Sequence, residues 1–224
     1  HDCVEINVTG LLHVLEASAA AGVRKLCFSS SAAVYGNNPV VPKREDMVPE
    51  PRSPYAVTKL DGEYYCHQYT ESGRLETAAL RFFNVFGPRQ DPAGAYAAAI
   101  PLFMERALAG RPLLIFGDGG QTRDFVYVED VVGALLFAAT TPGLTGVYNV
   151  GYGGQITVLE VAQRILALAG SASPIQYLAE RPGDVRHSRA DVAKLQQAGF
   201  RPRGTLEQGL AATLASLRSP ASSP

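Results

Sequence analysis

The chain has 224 residues, 46% of them hydrophobic, which is enough to bury a sizeable core; 20 basic and 21 acidic side chains leave a net charge of -1. That balance gives no electrostatic footprint for nucleic acid or an anionic membrane surface, and it favours a small-molecule partner. Cys3, Cys27 and Cys66 are odd in number and lack metal-like spacing, no apolar run approaches the ~20 residues of a membrane span, and the N-terminus lacks the basic-then-apolar pattern of a signal peptide. The expectation is a cytoplasmic protein with no metal cluster and no membrane segment.

In chain order, Val4 through Ala21 reads as a helix, with apolar residues at Val8, Leu11, Leu12, Leu15 and Ala19. Arg24 to Ser30 is an apolar strand that runs into the small-residue turn Ser29-Ser30-Ser31-Ala32-Ala33-Val34-Tyr35-Gly36. This puts hydroxyls at a strand's C-terminal end, where open α/β sheets bind ligands. Asn37 to Arg52, rich in proline and charge, reads as a surface connection. Ser53-Pro54-Tyr55-Ala56-Val57-Thr58-Lys59 then opens a helix, because Pro54 suits a first turn and Tyr55 through Gln68 has no proline and one isolated glycine. Tyr55 and Lys59 are four apart and share a face. A tyrosine with a pKa near ~10 is a poor base at neutral pH, and a nearby ammonium favours the phenolate. Tyr55 is therefore a candidate general base, with Ser31 donating a hydrogen bond to the same substrate oxygen. Taken alone, the Tyr-x-x-x-Lys spacing more often marks a half-buried aromatic beside a solvated lysine.

Glu76 to Phe82 reads as another strand and leads to Asn84 and the Gly87-Pro88 turn. Further on come a helix from Leu102 to Ala109, a strand from Leu113 to Phe116, and a return through Phe125 to Val128, the helix Glu129 to Ala139 and the strand Val147 to Val150. A helix from Val158 to Ala169, a strand from Ile175 to Leu178, an amphipathic helix from Leu206 to Leu217 and a disordered tail from Ser219 to Pro224 complete the chain. The strand and Gly-rich turn with which a Rossmann domain begins are not found: Gly10 and Gly22 are lone, and Gly117-Asp118-Gly119-Gly120 has no helix after it.

Four motifs in order carry a resemblance: Ser-Ser-Ser-Ala-Ala-Val-Tyr-Gly from Ser29, Ser-Pro-Tyr-Ala-Val-Thr-Lys from Ser53, Arg81-Phe82-Phe83-Asn84-Val85-Phe86-Gly87-Pro88-Arg89, and Gly119-Gly120-Gln121-Thr122-Arg123-Asp124-Phe125. From Glu5 to about Gly209 the chain resembles the extended short-chain dehydrogenase/reductases that act on nucleotide sugars. The resemblance implies an α/β fold, a Rossmann-like doubly wound parallel sheet whose N-terminal strands and glycine loop are absent, with a smaller interleaved α/β substrate domain. Residues 1–91 and 122–150 would belong to the first, 92–121 and 151–218 to the second, and 219–224 to the tail.

The same resemblance implies NAD as cofactor, contacted by Asn7, Ser29, Tyr55 and Lys59, and catalysis by Tyr55, Lys59 and Ser31. It implies a UDP-sugar substrate held by Ser31, Asn84, Phe116, Arg123, Arg181, Asp184 and Ser188. In the relatives the asparagine matching Asn84 binds the diphosphate, although an Asn before a turn also simply caps it. Phe116 would pack on the uracil or belong to ordinary core. Arg123 would pair with a phosphate oxygen through its planar fork, or with Asp124 at the surface. Arg181 would pair with phosphate and Asp184 accept from the ribose, unless Arg181 to Asp191 is a plain surface turn. Ser188 falls where the 4-epimerases border the 2-substituent of the hexose, and a serine leaves room for an N-acetyl group.

Gly183 to Ser188 and Arg89 to Ala98 look like the bacterial epimerases that interconvert UDP-N-acetylglucosamine and UDP-N-acetylgalactosamine through a 4-keto intermediate. Ala32 and Ala33 stand where 4,6-dehydratases carry an acidic pair, and with Ser53 they do not match the decarboxylases either. UDP-glucose, UDP-glucuronate or a pentose analogue stay open as substrates. So does a chain that, without the glycine loop, only binds a UDP-sugar. Relatives commonly pair as homodimers through a four-helix bundle that includes the helix carrying Tyr55.

Overall fold

A computed structural model of the chain describes residues 2–92, 98–181, 183 and 185–218. The chain enters through α1 (Asp2–Val4), widens into a π-helical turn (Glu5–Thr9) and continues as α2 (Gly10–Ala20), so the expected first helix is present but not uniform. Then follow β1 (Lys25–Ser31), a 3-10 turn (Ala32–Tyr35), α3 (Pro54–Glu71), β2 (Glu76–Phe82), β3 (Asn84–Phe86) and α4 (Ala99–Leu108). Next come β4 (Leu113–Phe116), β5 (Thr122–Arg123), β6 (Phe125–Tyr127), α5 (Val128–Thr140), β7 (Gly146–Val150) and β8 (Ile156–Thr157). The last elements are α6 (Val158–Ala169), β9 (Ile175–Leu178), α7 (Ala193–Gln197) and α8 (Leu206–Arg218). The strands β3, β5 and β8 escape the sequence reading because two or three residues carry no periodicity. Helix α4 begins at Ala99 rather than Leu102, which places Pro101 in its first turn, where a missing N–H costs nothing. The expected tail and Asp184 lie outside the described residues.

Strands β1, β2 and β7 form a parallel sheet in that order. Successive side chains of a strand face opposite ways. In β1 a Cβ built at Gly62 of α3 would stand 2.3 Å from Phe28 Cζ, whereas the neighbouring Cys27 Sγ meets the Leu135 carbonyl of α5 at 3.9 Å. Helices therefore cover both faces, and the chain has the expected α/β class built on a parallel sheet. Leu15, Phe28, Cys66, Tyr69 and Ala79 form the core beneath α3, and Leu80, Val126, Val131, Ala134 and Val150 the core beneath α5. A separate core of Phe86, Ile100, Met104, Leu113, Ile115, Ile165 and Leu210 gathers α4, α6 and α8 around the parallel pair β4–β9.

The stretch Asn37 to Arg52 is not the plain surface connection that its composition suggests. Lys43 is only 2% exposed; its ammonium donates to the Asn38 and Val40 carbonyls. The backbone of Lys43 also pairs with Arg189 and Asp191, which brings this loop against the segment that follows Ser188. No helix among the described residues is long and apolar enough to cross a membrane.

Candidate active site

Helix α3 starts where it does because Ser53 is extended (φ -143) and its hydroxyl accepts the Ala56 N–H at 3.1 Å, with Pro54 in the first turn. Tyr55 and Lys59 then fall on one side, with Lys59 Nζ 5.6 Å from the centre of the Tyr55 ring and 5.2 Å from that of Phe28. Burial pulls the Lys59 pKa below that of an ordinary lysine, against the influence of Cys3. Among the described residues this ammonium has two rings and no oxygen acceptor. Tyr55 is 45% exposed. Asn7, in the π-helical turn, donates to Thr58 Oγ1 at 3.2 Å, and Thr58 donates to the Tyr55 carbonyl at 2.9 Å. The first helical segment is thus tied to α3 between Tyr55 and Lys59.

Alternation along β1 separates the three serines. Ser30 is buried and its hydroxyl donates to the Glu63 carboxylate of α3; Ser29 is exposed. Ser31 caps the 3-10 turn by accepting the Ala33 N–H at 3.1 Å, which leaves its own hydroxyl proton available.

Two cavities lie beyond this strand end. The larger, about 420 Å³, is lined by Phe116, Gln121, Arg181, Ile100 and Phe103; the smaller, about 290 Å³, by Ser31, Ala32, Ala33, Lys43, Val185 and Ser188. Asn84 and Arg123 line both. Asn84 is anchored by its amide and its backbone N–H, which donate to the Asp124 carbonyl at 3.0 and 3.1 Å. Arg123 donates to the Val185 carbonyl at 2.6 Å. The Arg181 guanidinium lies 3.8 Å over the Phe116 ring, a cation–π contact that covers one face of that ring. Ser188 enters through its backbone, whose N–H donates to the Thr122 carbonyl at 3.2 Å. The structure thus brings Ser31, Asn84, Phe116, Arg123, Arg181 and Ser188 around two adjoining spaces, while Tyr55 and Lys59 line neither.

Sequence reasoning missed several residues that hold this arrangement. Asp124, 1% exposed, accepts the backbone N–H groups of Tyr152, Gly153 and Ala190 at 2.8 to 3.0 Å, so it joins β5, β7 and the segment after Ser188. Burial pushes its carboxyl up to about 6, and those three N–H groups moderate the rise. Tyr35 donates to Asn149 Oδ1 at 2.6 Å, and Asn149 donates to the Lys43 and Asp191 carbonyls at 2.8 and 3.1 Å. The only sequence cue to this buried network is polar residues inside apolar runs: Arg81 in β2 and Asn149 in β7.

A parallel α/β sheet with hydroxyls at a strand's C-terminal end, beside a helix that presents a tyrosine and a lysine, has these groups where open α/β sheets bind ligands. The chain belongs to the NAD dependent epimerase/dehydratase family, whose model matches residues 1–151. It is 39% identical over 211 residues to a UDP-glucose 4-epimerase of Mycolicibacterium smegmatis, covering 93% of this chain and 67% of the relative. Among solved structures it is similar to the UDP-N-acetylglucosamine 4-epimerase from Methanobrevibacter ruminantium in complex with UDP-N-acetylmuramic acid, with TM-score 0.93 and 39% identity over 96% of this chain and 69% of that one. The Thermus thermophilus UDP-glucose 4-epimerase complex with NAD gives TM-score 0.88 and 39% identity over 97% and 71%. The chain thus spans about two thirds of the length of these relatives.

NAD is the cofactor of this family. The residues present fit its nicotinamide-ribose end: a half-buried ammonium with no oxygen acceptor among the described residues suits a ribose diol, and an exposed phenol stands beside it.

Proposed function

We propose that the protein is a UDP-hexose 4-epimerase and that its substrates are UDP-N-acetylglucosamine and UDP-N-acetylgalactosamine. The observation that carries this reading is the wall shared by the two cavities, where Asn84 and Arg123 stand between a space with Phe116 and Arg181 and a space with Ser31 and Ser188. A nucleoside, a diphosphate and a hexose present their groups in that order. Arg123 and Arg181 supply charge-assisted donors for the diphosphate and Asn84 a neutral polar group, and Phe116 supplies an apolar face for the base. On this reading the segments 92–121 and 151–218, Asp184 included, hold the nucleotide together with Asn84 and Arg123 from the first domain.

When bound, NAD supplies hydride acceptance at carbon 4 of the sugar and its return. Lys59 holds the nicotinamide ribose, flanked by Asn7 and Ser29, and Tyr55 takes the proton of the 4-hydroxyl. Ser31 donates to the same oxygen and holds it in line. The nucleotide end remains captive while the hexose turns, so the second half-reaction starts from a bound sugar rather than from solution. Ala32 and Ala33 line the hexose cavity and offer no acid for eliminating water, which supports epimerisation over dehydration. Small neighbours, Ala32, Ala33, Gly36 and Ser188, support room for an N-acetyl group. Exposed Val57 and Tyr64 on α3, with Ile6 and Val14 on the first helical segments, support pairing of two copies across these helices.

The test is incubation of the full-length protein with UDP-N-acetylglucosamine and NAD, followed by chromatographic separation of the sugars. UDP-N-acetylgalactosamine should form, and Tyr55→Phe should abolish it. Conversion of UDP-glucose alone would defeat the N-acetyl reading and leave the epimerase standing. A keto or decarboxylated product in place of an epimer would defeat the reaction itself.

A further inference from the structure

We propose that Ser30, Glu63 and Arg81 form a positioning set that holds the Tyr55–Lys59 helix in register with the strand end carrying Ser31. The inference rests on Tyr55, Lys59 and Ser31 being the working groups of the reaction proposed above. Glu63 lies on α3 one further turn along the stripe of Tyr55 and Lys59, at intervals of four residues. Its carboxylate takes a bidentate fork from Arg81, with Nε to Oε1 at 2.8 Å and Nη2 to Oε2 at 2.7 Å, and the two side chains are each 4% exposed. Ser30 donates to the same Oε1. Ser30 and Arg81 are register partners in the parallel pair β1–β2, so both reach Glu63 from one face of the sheet.

On its other side the Arg81 guanidinium lies 4.8 Å over the Tyr35 ring, and Tyr35 closes the 3-10 turn that Ser31 caps. Ser31 is thus bracketed by two members of one network, Ser30 before it and Tyr35 after it. A buried ion pair contributes little net stability compared with apolar residues of the same volume, because both charges must leave water. A planar fork does something that apolar packing does not. It accepts the carboxylate in one orientation, and so selects one rotation and one axial position of the helix. Phe28 and Gly62 bring α3 close to β1, and the fork sets where along the strand it rests.

Arg81→Lys keeps the charge and removes the fork, whereas Ser30→Ala removes only the hydroxyl tie. In the full-length protein kcat, KM for UDP-N-acetylglucosamine, UDP affinity by calorimetry, NAD affinity by fluorescence quenching, and Tm would be measured for each. The expected result for Arg81→Lys is a fall in kcat of about tenfold or more with weakened NAD binding, since Lys59 moves with the helix. UDP affinity should be unchanged, because the nucleotide-holding residues lie on other elements. Ser30→Ala should show the same pattern at roughly threefold, and it carries the test should Arg81→Lys not fold. A lowered Tm with kcat and NAD affinity intact would overturn the proposal, as would loss of UDP affinity in parallel with kcat. If the wild-type protein epimerises no UDP-sugar, the reaction reading fails, and the NAD affinities of the variants still decide the positioning role.

Discussion

Gly62 shows how one residue decides the seating of a helix. By propensity alone, Gly62→Ala in the middle of α3 would add about 1 kcal/mol of stability. The added Cβ would lie 2.3 Å from Phe28 Cζ and 3.0 Å from Leu11 Cδ2, so the ring or the helix must shift. Overpacking of this kind costs about 1–3 kcal/mol, and the ring that moves is the one under the Lys59 ammonium. We expect Gly62→Ala to lower both Tm and NAD affinity. Asp124 makes a pH prediction at the same scale. Burial raises its carboxyl from 3.8 to about 6, so between those values the folded protein holds a proton that the unfolded chain has released. Unfolding then releases a proton, and stability falls as pH rises through this window, by up to ~1.4 kcal/mol per pH unit, and is flat above it. Tm measured from pH 4 to 7 should decline more steeply in the wild type than in Asp124→Asn.

At the scale of elements, most helices were legible, with α4 starting three residues before the expected Leu102. Ser53-Pro54 opens α3 as expected, and α6 begins at Thr157 with a reciprocal capping box to Glu160 and ends at Gly170 in the left-handed conformation (φ 64). Thr157→Ala should cost about 1 kcal/mol, read as a Tm lower by ~2–4 °C in a chain of this size. Strands β2, β4 and β9 were legible because each is an uninterrupted run with β-forming residues between turn signals. The π-helical turn was not, since Asn7 lies there among residues that suit an ordinary helix equally well. Its wider turn coincides with the hydrogen bond from Asn7 to Thr58, a contact made 51 residues away in sequence. The contacts of the loop from Asn37 to Arg52 were hidden for a related reason. Its charge and proline describe a surface segment, and nothing local says that Lys43 will satisfy two carbonyls of its own loop inside the protein.

At the scale of the whole molecule, two cavities meet at Asn84 and Arg123. Met104 is fully buried in the core of α4, α6 and α8, and its neighbours Ile100 and Phe103 form part of the larger cavity. Met104→Ala should destabilise by about 2–5 kcal/mol. Because that core lies apart from α3, it should weaken UDP binding while leaving NAD affinity near the wild-type value, a separation that calorimetry with each ligand would read. The sequence by itself determined the α/β class, most helices and strands, and the candidates Tyr55, Lys59, Ser31, Asn84, Arg123 and Ser188. The helices and strands follow from periodicity and caps, and Tyr55, Lys59 and Ser31 from residue chemistry and spacing. The α/β class, Asn84, Arg123 and Ser188 come from the resemblance that the four motifs carry, and all of these signals are local. Only the tertiary structure decided that Asn84 and Arg123 face both cavities, that Ser30 and Ser31 part company, and that Glu63, Arg81, Lys43, Asp124 and Asn149 tie the site together. Those are contacts between groups 18 to 114 residues apart, and a buried charge or amide shows its partner only when the chain has brought the two within hydrogen-bond reach.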